Sequence, residues 1–223
     1  MGKSPHTKRA ELSVPSLKAI GKGAMFTTQI LVGSDHANLA DAYRLRHDIF
    51  VVESGWEDLR KADGLERDQF DDEHAVHFLV YEGARLVGYQ RLLPTTRPYL
   101  LTEIYPHLCD GAPPSDPSIY EWTRCAAVHE YRGRGSAVGP VLGELMLSIV
   151  EWGLSCGVTS VVVEFLPVQI LKLIQANFIT IPLGISQEVG GQDLIALRAH
   201  FDERTLMRLR TLNEQAKALQ KAS

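Results

Sequence analysis

The hydrophobic positions of the chain follow two periods, which together predict a mixed α/β domain. Alternating or continuous apolar runs of strand length cover 26–32, 75–81, 85–93, 119–128, 158–164, 178–183 and 193–197. Apolar positions three and four residues apart predict helices over 35–50, 136–156, 167–176 and 202–221, and Ser34 or Asp35 is a plausible N-cap of the first one. The polar stretches 53–73 and 94–118 are predicted to be loops, the second with one helical turn near Glu103.

The order of these elements predicts how the sheet is built. Strands 75–81 and 85–93 are separated by a short Glu82-Gly83 turn, which indicates an antiparallel hairpin. The strand 119–128, the helix after it and the strand 158–164 are predicted to form one parallel crossover. The fold class is therefore α/β, a three-layer α-β-α sandwich with a mixed central sheet.

Composition narrows the class of protein. The 223 residues are 45% hydrophobic and 22% charged, and the net charge of −4 argues against a general nucleic-acid binder. Three scattered cysteines predict neither a disulfide framework nor a metal site and suit a cytoplasmic protein. No apolar stretch approaches the ~20 residues of a membrane span. Residues 1–24 are predicted to be a disordered basic extension, followed by a single domain over 25–223.

A glycine-containing turn precedes the helix predicted to begin at Ser136. It contains Arg132, Gly133, Arg134, Gly135 and Ala137, with the spacing Arg-x-x-Gly-x-Ala. Small residues let backbone N–H groups approach a ligand, and a helix N-terminus favours negative charge. The segment resembles the turn with which GCN5-related acyltransferases bind the pyrophosphate of coenzyme A. A solvated basic turn would account for it equally well.

The loop 53–73 is rich in carboxylates. It contains, among others, Asp63, Glu66, Asp68, Asp71, Asp72 and Glu73. Such a loop is usually only hydrated, but Arg46, Arg91 and Arg124 each fall inside a predicted helix or strand beside apolar residues. A buried arginine needs a carboxylate partner. We therefore expect Arg91 to contact Asp68 or Asp71, either as part of a cation-binding site or as a network that orders the loop.

The strand 119–128 carries the sequence Glu121-Trp122-Thr123-Arg124. A period of two places Glu121 and Thr123 on one face of the sheet and Trp122 and Arg124 on the other. A glutamate on a strand beside a cleft can act as a general base for an amine. A purely structural role for Glu121 is the alternative.

These separate patterns agree with one family. Arg46-x-x-x-Phe50, Trp56, Asp68-Gln69-Phe70-Asp71, Arg91-Leu92-Leu93-Pro94-Thr95 and the Glu121 to Arg124 segment stand in the order and spacing of the LuxI-type acyl-homoserine-lactone synthases. The resemblance covers roughly residues 25–197. Segments 46–51, 105–108 and 115–117 resemble the branch that uses coenzyme A thioesters of branched or aromatic acids.

The resemblance implies a reaction and a set of residues. The enzyme would transfer an acyl group from a thioester to the amine of S-adenosylmethionine, close a lactone and release methylthioadenosine, without a metal or a further cofactor. It implies catalytic roles for Glu121, Arg124, Asp68 and Asp71, and S-adenosylmethionine binding by Arg46, Phe50, Trp56, Arg91 and Thr123. The acyl donor would contact Tyr105, Arg132, Gly133, Arg134 and Gly135. Acyl-CoA is the expected donor, and acyl carrier protein the less favoured one.

Two other functions remain open from the sequence. A generic N-acetyltransferase of the same fold would explain the turn that begins at Arg132 but not Trp56 with the Asp68 and Asp71 loop. A ligand-binding module without catalysis would release no methylthioadenosine.

Overall fold

The computed structural model describes residues 26–133 and 137–221, with side chains as far as residue 216. The predicted extension 1–24 and the candidate residues Arg134 and Gly135 lie outside the described residues. The strands are β1 Thr27–Val32, β2 Val76–Glu82, β3 Arg85–Pro94, β4 Ile119–Ala127, β5 Ser160–Phe165, β6 Ile179–Pro182, β7 Gln187–Val189 and β8 Gln192–His200. The α-helices are α1 Leu39–Arg46, α2 Leu100–Glu103, α3 Pro140–Cys156, α4 Ile170–Gln175 and α5 Glu203–Lys221.

One mixed sheet forms the middle layer of the domain. Its strand order is β1-β2-β3-β4-β5-β8-β6, and β7 pairs with the first residues of β8. Neighbouring strands are antiparallel except β4 and β5, which α3 connects. Helices α3 and α5 pack on one face of the sheet, where the core includes Trp122 and Val161 of the sheet and Trp152 of α3. Helix α1 packs on the other face, against Leu79 and Tyr89. The predicted three-layer α-β-α sandwich, its hairpin and its parallel crossover are confirmed.

The two parallel strands separate soon after they meet. Pairing between β4 and β5 covers only Ile119 to Glu121 with Ser160 to Val162. Beyond that point, β4 stays paired with β3 as far as Ala127, and β5 stays paired with β8 as far as Phe165. Among the described residues, their facing edges therefore have no ladder partner there, and this gap in the ladder after Glu121 is the cleft between β4 and β5.

Two predicted helix boundaries are wrong. Helix α3 begins at Pro140 rather than Ser136, because proline suits the first helical position and Gly139 before it is extended. The first helix begins at Leu39, after Asn38, rather than near Asp35. It continues beyond Phe50 as a π-helix over His47–Glu53, closed by the Ser54 N–H bonding to the Ile49 carbonyl. The short strand β7 was not predicted.

Candidate active site

Six buried charged side chains form one network between α1, the carboxylate-rich loop and the sheet. The network consists of Arg46, Arg91 and Arg124 with Glu66, Asp68 and Asp71. Each of these six side chains is at most 12% exposed. Three formal positive charges and three negative charges balance, which is what allows such a group to be buried.

Arg91 makes the contacts that the sequence predicts. Its guanidinium donates two parallel hydrogen bonds to Asp68, at 2.6 and 3.0 Å, and lies 2.7 Å from Asp71. Its Nε donates to the hydroxyl of Thr123 at 3.1 Å, so Thr123 supports the arginine from the neighbouring strand. Although burial alone would raise the pKa values of Asp68 and Asp71, Arg91 and the other arginines hold both below their usual range.

Arg46 connects α1 with the same loop. Its Nε donates to Glu66 at 2.5 Å and its Nη1 to Asp71 at 2.7 Å. The ring centroids of Tyr43 and Tyr89 lie 5.3 and 5.5 Å from the guanidinium carbon, within the range of a cation–π contact. Since the side chain is fully buried, Arg46 holds the loop against the sheet through ion pairs that water does not screen.

A β-bulge corrects the predicted orientation of Arg124. Tyr89 pairs with Ala126 and Arg91 with Thr123, so β4 has one more residue than β3 in this interval. Arg124 has a φ of 53°, in the left-handed region, and the period of two is interrupted there. Its side chain therefore lies on the Thr123 face, opposite Trp122, and donates to Glu66 at 3.2 Å and to Asp68 at 2.9 Å.

Phe50 and Trp56 form an aromatic pair beside the network. Their rings are stacked at 5.1 Å with an angle of 18° between the planes. The Arg124 guanidinium lies over the Phe50 ring, 5.9 Å from its centroid. The π-helix places Phe50 here, and the Trp56 N–H bonds to the Phe50 carbonyl at 2.9 Å. Trp56 is 43% exposed, so it offers an aromatic surface next to buried charges.

Glu121 lies at the point where β4 and β5 separate. It is fully buried, and its two oxygens accept the backbone N–H groups of Leu100 at 2.9 Å and Leu101 at 2.6 Å. Burial raises the pKa of Glu121 to about 7, against the opposing effect of these N–H groups and of Arg91 and Arg124. A carboxyl with this pKa can both accept and release a proton near neutral pH. The hydrogen bonds of Arg124 go to Glu66 and Asp68, so Arg124 acts on Glu121 only through its charge.

The candidates for the acyl donor lie in two places. Tyr105 packs against the cluster of Leu101 and Leu108 on the face covered by the segment 95–118. Arg132 lies past the end of β4 and donates to Glu53 at 2.6 Å and to the Ala127 carbonyl at 2.7 Å. A Cβ at Gly133 would collide with the carbonyl oxygen of Ala137, so the described part of this turn requires glycine. The structure thus separates Tyr105 from the turn.

Three residues at the site were not predicted. Glu164 on β5 lies beside Glu121, and burial together with that neighbour raises its pKa well above the usual range. The hydroxyl of Tyr89 links the network to His77 at 2.7 Å, and burial lowers the pKa of His77 to about 4. Glu164 and His77 each interrupt an apolar run of their strand, and that break in the strand pattern was the available signal.

The described residues include no helix long and apolar enough to cross a membrane. Within the same ranges, no three or more His, Cys, Asp or Glu side chains are grouped as a metal site would require.

Several known proteins are similar to this chain. The isovaleryl-homoserine lactone synthase of Bradyrhizobium diazoefficiens is 38% identical over 169 residues, which cover 75% of each chain. The solved structure of BjaI, a CoA-dependent acyl-homoserine lactone synthase with SAM and isopentyl-CoA, superposes with a TM-score of 0.76 at 35% identity, over 82% of this chain and 86% of BjaI. An acyltransferase-type fold is also found in a Lactobacillus plantarum protein classed as an N-acetyltransferase, with a TM-score of 0.52 over 78% of this chain and 99% of that one, at 18% identity. Residues 31–206 match the autoinducer synthase family, and the chain belongs to that family.

Proposed function

We propose that the chain is an acyl-homoserine-lactone synthase whose base is Glu121. The amine of S-adenosylmethionine loses a proton to Glu121, directly or through water, and its nitrogen attacks the carbonyl carbon of the acyl thioester. The thiolate then leaves. The carboxylate of the acylated product displaces the sulfonium from the γ-carbon, which closes the lactone and releases methylthioadenosine. Both reactants are substrates, and these steps need no further cofactor.

The observation that carries this proposal is the position of Glu121. It combines a pKa of about 7 with a location at the opening of the cleft between β4 and β5. A carboxyl with an ordinary pKa would be a weaker base, and one with a much higher pKa would remain protonated at neutral pH. The N–H groups of Leu100 and Leu101 fix its orientation while leaving lone pairs free to accept a proton.

S-adenosylmethionine binding is proposed for the surface next to the charge network. The molecule has a sulfonium, an ammonium and an adenine ring. The exposed ring of Trp56, supported by Phe50, suits the adenine or the sulfonium. Asp68 is the most exposed of the three network acids and suits the ammonium. Arg46, Arg91, Thr123 and Asp71 contribute by holding these groups in place.

Acyl-CoA is the proposed donor. Beyond Glu121, the facing edges of β4 and β5 have no ladder partner among the described residues, and they offer backbone N–H and C=O groups of the kind that the amides of pantetheine can pair with. BjaI is described as CoA-dependent and was solved with isopentyl-CoA, and the Bradyrhizobium relative is named for an isovaleryl product. Both names support a short branched acyl group on coenzyme A. An acyl carrier protein is the less favoured donor.

Partners and location are proposed on chemical grounds. The net charge of −4 argues against a general nucleic-acid binder, which would need a basic face. The three cysteines are free, which suits a reducing compartment such as the cytoplasm.

The test is a product assay with purified protein. S-adenosylmethionine and isovaleryl-CoA should yield isovaleryl-homoserine lactone and methylthioadenosine in equal amounts, both measured by chromatography with mass detection. Acetyl-CoA with a panel of simple amines tests the N-acetyltransferase alternative. Acetylated amines without methylthioadenosine would overturn the proposal in favour of that alternative.

A further inference from the structure

Glu164 is a polar side chain in an otherwise apolar part of β5. It stands two residues after Val162, on the same face of the strand, and pairs in register with Ala196 of β8. The cluster on this face contains Val162, Ala196 and Leu101. Its Oε1 atom is inaccessible to solvent and has no hydrogen-bond partner among the described residues. A carboxylate in such surroundings is costly unless it is neutralised.

The neighbour of Glu164 is the proposed base. Glu121 is opposite Val162 in the parallel pairing, and the side chain of Glu164 reaches back within hydrogen-bonding range of the Glu121 carboxyl. Two carboxylates cannot approach each other this closely while both are ionised, because each would face a like charge in a low-dielectric site. One of the two must therefore have a proton, and that proton forms the bond between them.

The remaining groups around the pair decide which carboxyl is neutral. Glu121 accepts two backbone N–H groups and faces the charges of Arg91 and Arg124, all of which favour its ionised form. Glu164 has only its own backbone N–H in support of the ionised form, and its titratable neighbours are Tyr99, Cys109 and Glu121 itself, with Asp110 beyond Cys109. The proton accordingly belongs on Glu164, which donates to Glu121.

We propose that Glu164 is a positioning residue for the reaction: protonated, it donates a hydrogen bond to Glu121, stabilises the ionised base and sets its proton affinity. The inference rests on the proposed role of Glu121 as the base. When Glu121 accepts the proton of the amine, the pair becomes doubly protonated and neutral, which suits its buried site. The two carboxyls then titrate as one coupled unit rather than as separate acids.

Two variants separate hydrogen bonding from charge. Glu164→Gln keeps a donor to Glu121 but cannot ionise. Glu164→Leu is close in size and removes the donor. Each variant is compared with the wild type in two measurements: the pH profile of kcat/KM for S-adenosylmethionine, and the titration of glutamate side chains labelled with carbon-13, followed by NMR in the free protein. The Glu121 signal is assigned by its loss in Glu121→Gln.

The expected result differs between the variants. Glu164→Gln leaves the ionisation of Glu121 near pH 7, and the signal of a second glutamate that is still protonated after Glu121 has ionised disappears. Glu164→Leu raises the pKa of Glu121 by about one unit, so kcat/KM at pH 6 falls about tenfold and recovers at high pH. An unchanged Glu121 titration in Glu164→Leu, or a Glu164 that ionises near pH 4 to 5 in the wild type, overturns the proposal.

The two measurements also separate this inference from the proposed function. If the Glu121 titration moves in the NMR experiment while the pH profile of kcat/KM does not, the carboxyl pair is correct and Glu121 is not the base. If neither moves, the pair itself is wrong. Should Glu164→Leu fail to fold, the loss of the second protonated glutamate in Glu164→Gln still tests whether Glu164 holds the proton.

Discussion

The carboxylate of Asp71 lies 2.7 Å from a guanidinium nitrogen of Arg91, and only 3% of the Asp71 side chain and none of the Arg91 side chain is exposed to solvent. The same carboxylate accepts from Arg46 at 2.7 Å. One acid thus neutralises parts of two buried cations. Because the whole network is balanced at three charges of each sign, removal of this one negative charge leaves a positive charge that solvent cannot reach.

Asp71→Asn should therefore be costly for both stability and activity. We expect the free energy of unfolding in urea at pH 7 to fall by about 3–5 kcal/mol, the cost of breaking a buried ion pair from one side. kcat/KM should fall with it, because the loop with Asp68 loses its anchor. Asp41→Asn is the control, since its pair with Arg44 is 60–68% exposed and should change the stability by less than ~1 kcal/mol. Equal losses in the two variants would contradict the role given to the network.

Glu121→Gln preserves shape and removes basicity. We expect kcat to fall by roughly 10²–10⁴-fold, the usual contribution of a general base. Binding of S-adenosylmethionine, measured by calorimetry, should change little, because the proposed contacts of this substrate involve Trp56 and Asp68. Turnover close to that of the wild type would assign Glu121 to structure and the base to water.

The pKa of Glu121 also predicts how stability depends on pH. The folded protein keeps this proton up to about pH 7, whereas the unfolded chain releases it near the ordinary glutamate pKa of 4.5. The folded state thus binds more protons between these values, and its stability relative to Glu121→Gln should decrease as pH rises through this window, by roughly 3 kcal/mol. Asp68 and Asp71 have lowered pKa values, so their contribution to the free energy of unfolding is lost only as pH falls below about 4. Urea unfolding of both proteins from pH 4.5 to 8 measures the difference, and parallel curves would exclude the raised pKa.

Many contacts of the site could be predicted from residue types, whereas the positions of its side chains depend on how the strands pair. The contact of Arg91 with Asp68 and Asp71 was predictable because an arginine in an apolar strand needs an acid, and the loop supplied several. The side of the sheet on which Arg124 lies was not predictable. It depends on a bulge in the pairing of β4 with β3, which a period of two does not encode. Glu164 was missed for a similar reason: only the register of β5 against β4 brings it to Glu121.

Because the backbone of Arg124 is left-handed, we expect its glycine variant to be more stable than its alanine variant, the reverse of the usual order in a strand. Replacing this arginine by alanine or by glycine removes the same ion pairs with Glu66 and Asp68. At an ordinary strand position alanine is the more stable residue, by about 0.5–1 kcal/mol. At a φ of 53° the Cβ of alanine is strained, so Arg124→Gly should be more stable than Arg124→Ala by about 1 kcal/mol. Urea unfolding of the two variants measures the difference. If Arg124→Ala is the more stable variant, the bulge relaxes when the arginine is absent.

Arg132, in the described part of the turn, is the candidate contact for the acyl donor. Arg132 is 37% exposed and its charge is shared with Glu53, so it can reach a phosphate at the surface but has an internal partner that competes for it. Arg132→Ala should raise KM for isovaleryl-CoA about tenfold and leave KM for S-adenosylmethionine unchanged. Glu53→Gln is the matched control, because it breaks the same ion pair without removing the cation, and KM for the thioester should then stay constant or decrease.

The two donors can be compared directly with one acyl group on both carriers. We expect kcat/KM to favour coenzyme A, because the net charge of −4 disfavours the docking of a strongly acidic carrier protein, whereas a small diphosphate needs only one local cation and nearby N–H groups. Added salt should then weaken the effect of Arg132→Ala, since this contact is open to solvent. A preference of tenfold or more for the carrier protein, about 1.4 kcal/mol in transition-state stabilisation, would reverse the assignment. Arg132 would in that case contact the carrier protein, and the effect of Arg132→Ala would appear only with that donor.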